Sequence, residues 1–166
     1  LDPDIDKERA KALRAEGPRE DVICIQNLRK VYKGGGSGAD KVAVDDLCLS
    51  VTPGACFGLL GPNGAGKTTT MKMLTGTAWP TGGTAAVASV GISDSMPEIY
   101  RRLGFCPQFH GLFPLLTVDE HLEFYGALKG MNAQSVRSFA DVMTHALDMT
   151  DHRNKLSKTL SGGNKR

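Results

Sequence analysis

The densest chemistry in this sequence lies in Gly61-Pro62-Asn63-Gly64-Ala65-Gly66-Lys67-Thr68-Thr69. Two glycines frame four residues, then Lys and Thr follow, matching G-x-x-x-x-G-K-[ST] at every fixed position. Glycines let a backbone curl with its N–H groups turned inward, where a Cβ would block an anion. A helix beginning near Gly66 adds its positive end to the same anion. Lys67 offers a mobile charge to β- and γ-phosphates. The Thr68 hydroxyl is placed to ligate Mg²⁺, and Thr69 gives a further donor toward the α- and β-phosphates. Alone, this loop specifies an NTPase of some kind.

Three other places carry candidate chemistry. Ser161, Gly162 and Gly163, inside Leu160–Asn164, put a hydroxyl and two glycines at a helix start, which makes a second anion site. Gln108 follows Pro107 directly after an apolar run. Tyr32 lies upstream of the loop, where an aromatic ring can stack on a base.

These segments together resemble ABC ATPases. Leu160–Asn164 is similar to the family's signature, whose commonest form ends in Gln, and Pro107-Gln108 is similar to its Q-loop. CFGLLGPNGAGKTTTMKMLTG, LGFCPQF, LTVDEHLEFYGALKG and LSGGNKR look like the A subfamily, the large eukaryotic lipid exporters, as does the acidic lead-in at Asp4–Arg9. The sequence departs from that pattern at Ala55, where Glu is usual, at His110, where Asp is frequent, and at Ala88-Ser89, where Gly is expected.

The resemblance implies ATP and Mg²⁺ as cofactors. Tyr32 would stack on adenine, and Gln108 would reach Mg²⁺ and the attacking water, making Lys67 and Gln108 the catalytic contributors. Two such domains close head to tail, so Ser161, Gly162 and Gly163 would serve the nucleotide of a second nucleotide-binding domain. Membrane helices of the same polypeptide, carrying a lipid substrate, would be the other partner, with this domain at the cytoplasmic face of the membrane. The apolar stretch Phe109–Leu116 would dock on them. The family also has a Walker B segment and a switch His after the signature. None of His110, His121, His145 and His152 can be that residue, since all precede Ser161. The 166 residues are therefore expected to bind ATP without turning it over. The alternative is a soluble ABC ATPase acting on ribosomes or DNA ends.

The elements that must position these groups give an α/β fold: a P-loop NTPase core sheet, an antiparallel β lobe and a helical subdomain. Residues 1–20 read as a charged linker, with Ile5–Glu16 able to form a short exposed helix. Residues 21–166 form the nucleotide-binding domain: β lobe and core over 21–116, helical subdomain over 117–158, signature over 160–164. Strands are expected at Val22–Ile25, continuing over Leu28–Tyr32 after a break, and at Val42–Val51, where apolar and polar residues partly alternate. Gly34–Ala39 reads as a hairpin-type loop. Cys56–Leu60 and Leu103–Cys106 are short apolar runs that suit strands buried on both faces. A turn and strand follow over Thr81–Val90, and a short helix over Pro97–Arg102. Thr117 and Glu120 form a capping box opening a helix that ends near Gly130. Val136, Phe139, Met143, Ala146 and Leu147 share helical spacing on the next helix.

Composition bounds the rest. At 40% hydrophobic and 23% charged the chain is globular, and a net charge of +2 recommends no nucleic-acid partner. Cys24, Cys48, Cys56 and Cys106 form no C-x-x-C pair and read as buried, reduced thiols.

Overall fold

The computed structural model describes residues 3–14, 21–35, 38–108 and 111–165, and two compact units divide at Gly104/Phe105. Parts of three expected features, at residues 1–2 and 15–20, at 36–37, and at Phe109 and His110, lie outside the described residues.

In the first unit, β1 (Ile23–Tyr32) lies between β2 (Lys41–Val51) and β3 (Gly82–Val87), antiparallel to both, and the two-residue β4 (Val90–Gly91) pairs antiparallel with the end of β3. The expected break near Leu28 is a β-bulge, with the register shifting between Ile25 and Leu28 around Asn27 at φ 49°. Helix α2 (Lys67–Leu74) and α3 (Met96–Arg102) close the core. Ile25, Leu28, Val44, Met73, Ala85, Val87, Ile92 and Ile99 meet there. The β3–β4 turn has both of its residues, Ala88 and Ser89, at positive φ (47° and 67°), the geometry a tight two-residue hairpin requires.

The other side of β1 is covered by α1 (Pro3–Leu13), which is more than an exposed segment. Ala12 is wholly buried, and its carbonyl accepts from Gln26 Nε2 at 2.7 Å. Glu8 Oε1 accepts from the Ser50 N–H at 2.7 Å, and Arg9 pairs with Asp46 at 2.8 Å. That bond to Asp46 raises the Arg9 pKa above its ordinary value.

Two expected strands are absent. Cys56–Leu60 and Leu103–Cys106 carry no strand, and Phe57, Leu60 and Phe105 stand 48%, 91% and 57% exposed. A strand buried on both faces needs ladder neighbours, and among the described residues no strand pairs with either run. Cys56 and Cys106 share this exposure, so of the four free thiols only Cys24 is buried and Cys48 half-buried.

The second unit is helical. Thr117 caps α4 (Val118–Leu128) through a complete capping box with Glu120, and Asn132 caps α5 (Ala133–Ala146) by accepting from the Ser135 N–H. The buried face of α5 is Val136, Ala140 and Thr144; Phe139 and Leu147 remain exposed. Close approach selects small residues here, since a Cβ on Gly126 of α4 would meet Val136 Cγ2 at 2.7 Å. Arg153 joins the two helices through Asp119 at 2.8 Å and Asp141, and both carboxylates raise its pKa.

Candidate functional site

The loop from Gly61 to Gly66 takes its curl from glycine. Gly61, Gly64 and Gly66 have φ of 156°, 90° and 88°, values that side-chain-bearing residues rarely adopt. Gly66 is the N-cap of α2, so the helix begins where the sequence expects. It also lies against β2: an added Cβ would come 2.4 Å from Ala43 O and 3.0 Å from Val44 Cγ2. The Ala65 N–H closes the loop onto Pro62 O, and Thr70 anchors the first helical turn by bonding Gly66 O through both N–H and hydroxyl.

Within this frame Lys67 Nζ donates to Gly61 O at 2.6 Å and Pro62 O at 2.8 Å, so the ammonium sits over the mouth of the curl. The N–H groups of Gly64, Gly66, Lys67, Thr68 and Thr69 donate to no protein acceptor among the described residues. The first N–H groups of any helix lack intrahelical acceptors. Together with the α2 dipole and Lys67 they form a surface complementary to a phosphate chain. Thr68 is exposed, with its hydroxyl available to a cation. The residues therefore fit a phosphate group and its metal. Among the described residues no cluster of three or more His, Cys, Asp or Glu could hold a metal on protein ligands alone.

Tyr32 ends β1, 40% exposed, paired with Lys41 at the start of β2, and Ala43 just beyond is the residue whose carbonyl abuts Gly66. Sheet register thus brings Tyr32 to the end of the sheet that backs the loop. Lys30 places its ammonium 5.1 Å from the Tyr32 ring centroid, a contact that spacing alone does not disclose.

Gln108 and Ser161–Gly163 belong to the second unit. Gln108 is exposed. Ser161 opens a single turn: its Oγ accepts from the Asn164 N–H and its carbonyl from the Lys165 N–H, both at 3.2 Å. Gly162 and Gly163 are exposed, and an added Cβ on Gly162 would meet nothing within 4 Å, so another molecule can approach the backbone there closely.

The model of the ABC transporter family matches residues 44–166. This chain belongs to the ABC transporter family. It is 42% identical over 165 residues to the mouse retinal-specific phospholipid-transporting ATPase ABCA4, and 44% identical over 165 residues to human ATP-binding cassette sub-family A member 2. Each alignment covers 99% of this chain and 7% of the relative, so the chain spans a small part of the relatives it matches. The dimeric bacterial ABC transporter cassette MJ0796 shares the fold at a TM-score of 0.73 and 25% identity, over 86% of this chain and 65% of that one. A second structure of that cassette, in a post-hydrolysis state bound to ADP and Pi, matches equally well. The chain is therefore an ABC ATP-binding domain of mixed α/β architecture, homologous to A-subfamily transporters. The A-subfamily likeness drawn from its motifs holds across nearly its whole length.

Proposed function

We propose that this chain binds Mg-ATP as one nucleotide-binding domain of a membrane exporter that moves lipid. The observation that carries this reading is the first turn of α2. The unshared N–H groups of Lys67, Thr68 and Thr69 adjoin the Lys67 ammonium on a loop that only glycine can form. Gly61, Pro62, Asn63, Gly64, Ala65 and Gly66 would wrap the β-phosphate, Lys67 would bridge to the γ-phosphate, and Tyr32 would carry adenine. Thr68 would hold Mg²⁺, which when bound neutralises charge on the β- and γ-phosphates. In the complete protein, bulk solvent would be excluded around the one attacking water, and Lys67 would hold the charge that develops on the phosphates during hydrolysis.

A second nucleotide-binding domain is the first partner, as in the dimeric MJ0796 cassette. Ser161, Gly162 and Gly163 would contact the nucleotide held by that domain. Membrane-spanning segments are the second partner. Among the described residues no helix is long and apolar enough to cross a membrane; in this reading such segments would belong to other parts of the transporter. Phe113, 48% exposed, and Leu115, 68% exposed, offer the apolar surface for docking there. That arrangement places the chain at the cytoplasmic face. The relatives' description as phospholipid-transporting favours lipid as the cargo.

Titration of the purified chain with Mg-ATP, followed by a phosphate-release assay on the same sample, tests the reading. Saturable binding is expected, and phosphate release on the same sample reports whether turnover accompanies it. A folded chain that binds no nucleotide would overturn it.

A further inference from the structure

β3 pairs with β1 only as far as Arg29, which stands opposite Gly82. Beyond that point three bonds from residues 79–81 take over the open side of β1. The Thr81 N–H donates to Arg29 O at 2.8 Å, and the Thr81 hydroxyl accepts from the Val31 N–H at 3.0 Å. Between them Lys30 Nζ donates to Trp79 O at 2.6 Å. The end of β1 is thereby held by the segment that leads into β3, although the ladder itself has stopped.

The other side of this stretch faces the strand on which the phosphate loop rests. Lys30 lies opposite Val44 and Val31 opposite Val42, so Ala43 between them has no partner on β1. Ala43 O and Val44 Cγ2 are the atoms that Gly66 abuts. Lys30 is half-buried, and its ammonium stands 5.1 Å from the ring centroid of Tyr32, two residues further along the strand. Residues two apart on a strand share a face. Among the described residues no carboxylate pairs with Lys30, whose ammonium is shared between one carbonyl and one aromatic ring.

We propose that Lys30 is a positioning residue for base binding. Anchored on Trp79 O, it holds one face of the Tyr32 ring and leaves the other face to adenine. This rests on the function proposed above, in which Tyr32 carries adenine beside the loop at Gly61–Thr69. A half-exposed tyrosine at a strand end otherwise turns about its side-chain bonds, and stopping that motion on binding costs entropy. A ring already fixed by a cation loses less. The contact also draws π density toward the ammonium, so the opposite face is less repulsive to an electron-rich purine. Lys30 thus acts on the base and leaves the phosphates to Lys67.

The test is calorimetric titration of the purified chain with Mg-ATP and, separately, with Mg-tripolyphosphate, which has the phosphates without the base. Lys30→Met keeps the stem and removes the charge. It is expected to weaken Mg-ATP binding by about two- to fivefold, the size of an exposed cation–π contact, and to leave tripolyphosphate binding unchanged. Lys30→Arg, which can reach the same ring and carbonyl, lies near wild type. Tyr32→Leu weakens ATP binding at least as much, and adding Lys30→Met to it changes nothing further. The role of Lys30 is overturned by Lys30→Met binding ATP as wild type does, by equal weakening of both ligands, or by an effect that adds to that of Tyr32→Leu. If Lys30→Met does not fold by circular dichroism, Lys30→Gln replaces it with the same expectations. A wild type that binds no Mg-ATP instead brings down the proposed function, and undiminished affinity in Tyr32→Leu brings down its adenine contact; the role of Lys30 falls with either.

Discussion

Gly66 and Ala43 meet through hydrogen alone: a Cβ on the glycine would stand 2.4 Å from the carbonyl oxygen of Ala43. The phosphate loop is therefore seated on strand β2, and the contact joins the loop to the same strand whose first residue pairs with Tyr32. Gly66→Ala must abandon a φ of 88° as well as this contact. The left-handed backbone alone costs roughly 1–2 kcal/mol for a residue with a Cβ, and the steric overlap adds to it. Denaturant melts should show a loss of at least that size, together with loss of nucleotide binding.

Lys67→Ala removes the ammonium over the loop mouth. A hydrogen bond to a charged group contributes about 1.5–3 kcal/mol, so ATP affinity is expected to fall by roughly ten- to a hundredfold. Because Lys67 also ties down Gly61 O and Pro62 O, a melt on the same sample separates lost charge from a loosened loop. Unchanged affinity in a folded variant would remove the loop from the nucleotide site.

Ser161→Arg fills the space above Gly162 with a long cation. It is expected to leave Mg-ATP binding to the isolated chain unaltered while preventing pairing of two domains in the complete protein. Isothermal titration of the chain and sedimentation of the complete protein with a slowly hydrolysed ATP analogue check the two halves. Loss of binding in the isolated chain would contradict a role for Ser161 across a dimer.

The hairpin at Ala88-Ser89 holds two side-chain-bearing residues at positive φ. Asn-Gly is the pair that this turn geometry favours. Replacing Ala88-Ser89 by Asn-Gly should stabilise the first unit by about 1 kcal/mol, read as a raised denaturation midpoint with an unchanged slope. The Arg102 guanidinium donates to Ala88 O, a main-chain contact that the substitution keeps.

The α4 cap is expected to weaken in acid. Glu120 accepts from the Thr117 N–H at 2.7 Å and from its hydroxyl, and these bonds, the backbone one first, lower its pKa below 4.5. A carboxyl with a depressed folded-state pKa contributes its full stabilisation above the unfolded value and loses it as pH falls through the folded one. Thermal melts from pH 7 down to pH 3 should therefore show a loss concentrated below pH 4.5, and Glu120→Gln should flatten it. Thr117→Ala, which deletes the cap hydroxyl, is expected to cost about 1 kcal/mol at neutral pH.

Features whose chemistry is written in adjacent residues were legible. The loop at Gly61–Thr69, the capping box at Thr117 and Glu120, and the break before Leu28 all depend on local backbone demands that particular residue types announce. What escaped depends on neighbours. Charge along residues 1–20 reads as solvated, yet α1 is seated on the sheet by buried Ala12 and by the polar contacts of Glu8 and Arg9 with β2. Helical spacing of apolar residues selects Val136 together with Phe139 and Leu147, but the fold buries Val136, against which Gly126 packs, with Ala140 and Thr144, and leaves Phe139 and Leu147 exposed. Apolar character marks Cys56–Leu60 and Leu103–Cys106 as fit for burial, but burial also requires a flanking strand, which no local pattern can supply. The hold on Tyr32 is invisible for the same reason: Trp79 is unremarkable until the chain folds back to meet Lys30.

The seating of α1 has a mechanical consequence. Arg9 holds Asp46 and Glu8 holds Ser50, both on β2, while Ala12 takes a bond from Gln26 on β1. A pull on the amino end of this helix would therefore be shared between two strands. The strand that receives most of that load is the one on which Gly66 rests, so tension upstream of Pro3 would be felt at the phosphate loop without passing through any nucleotide.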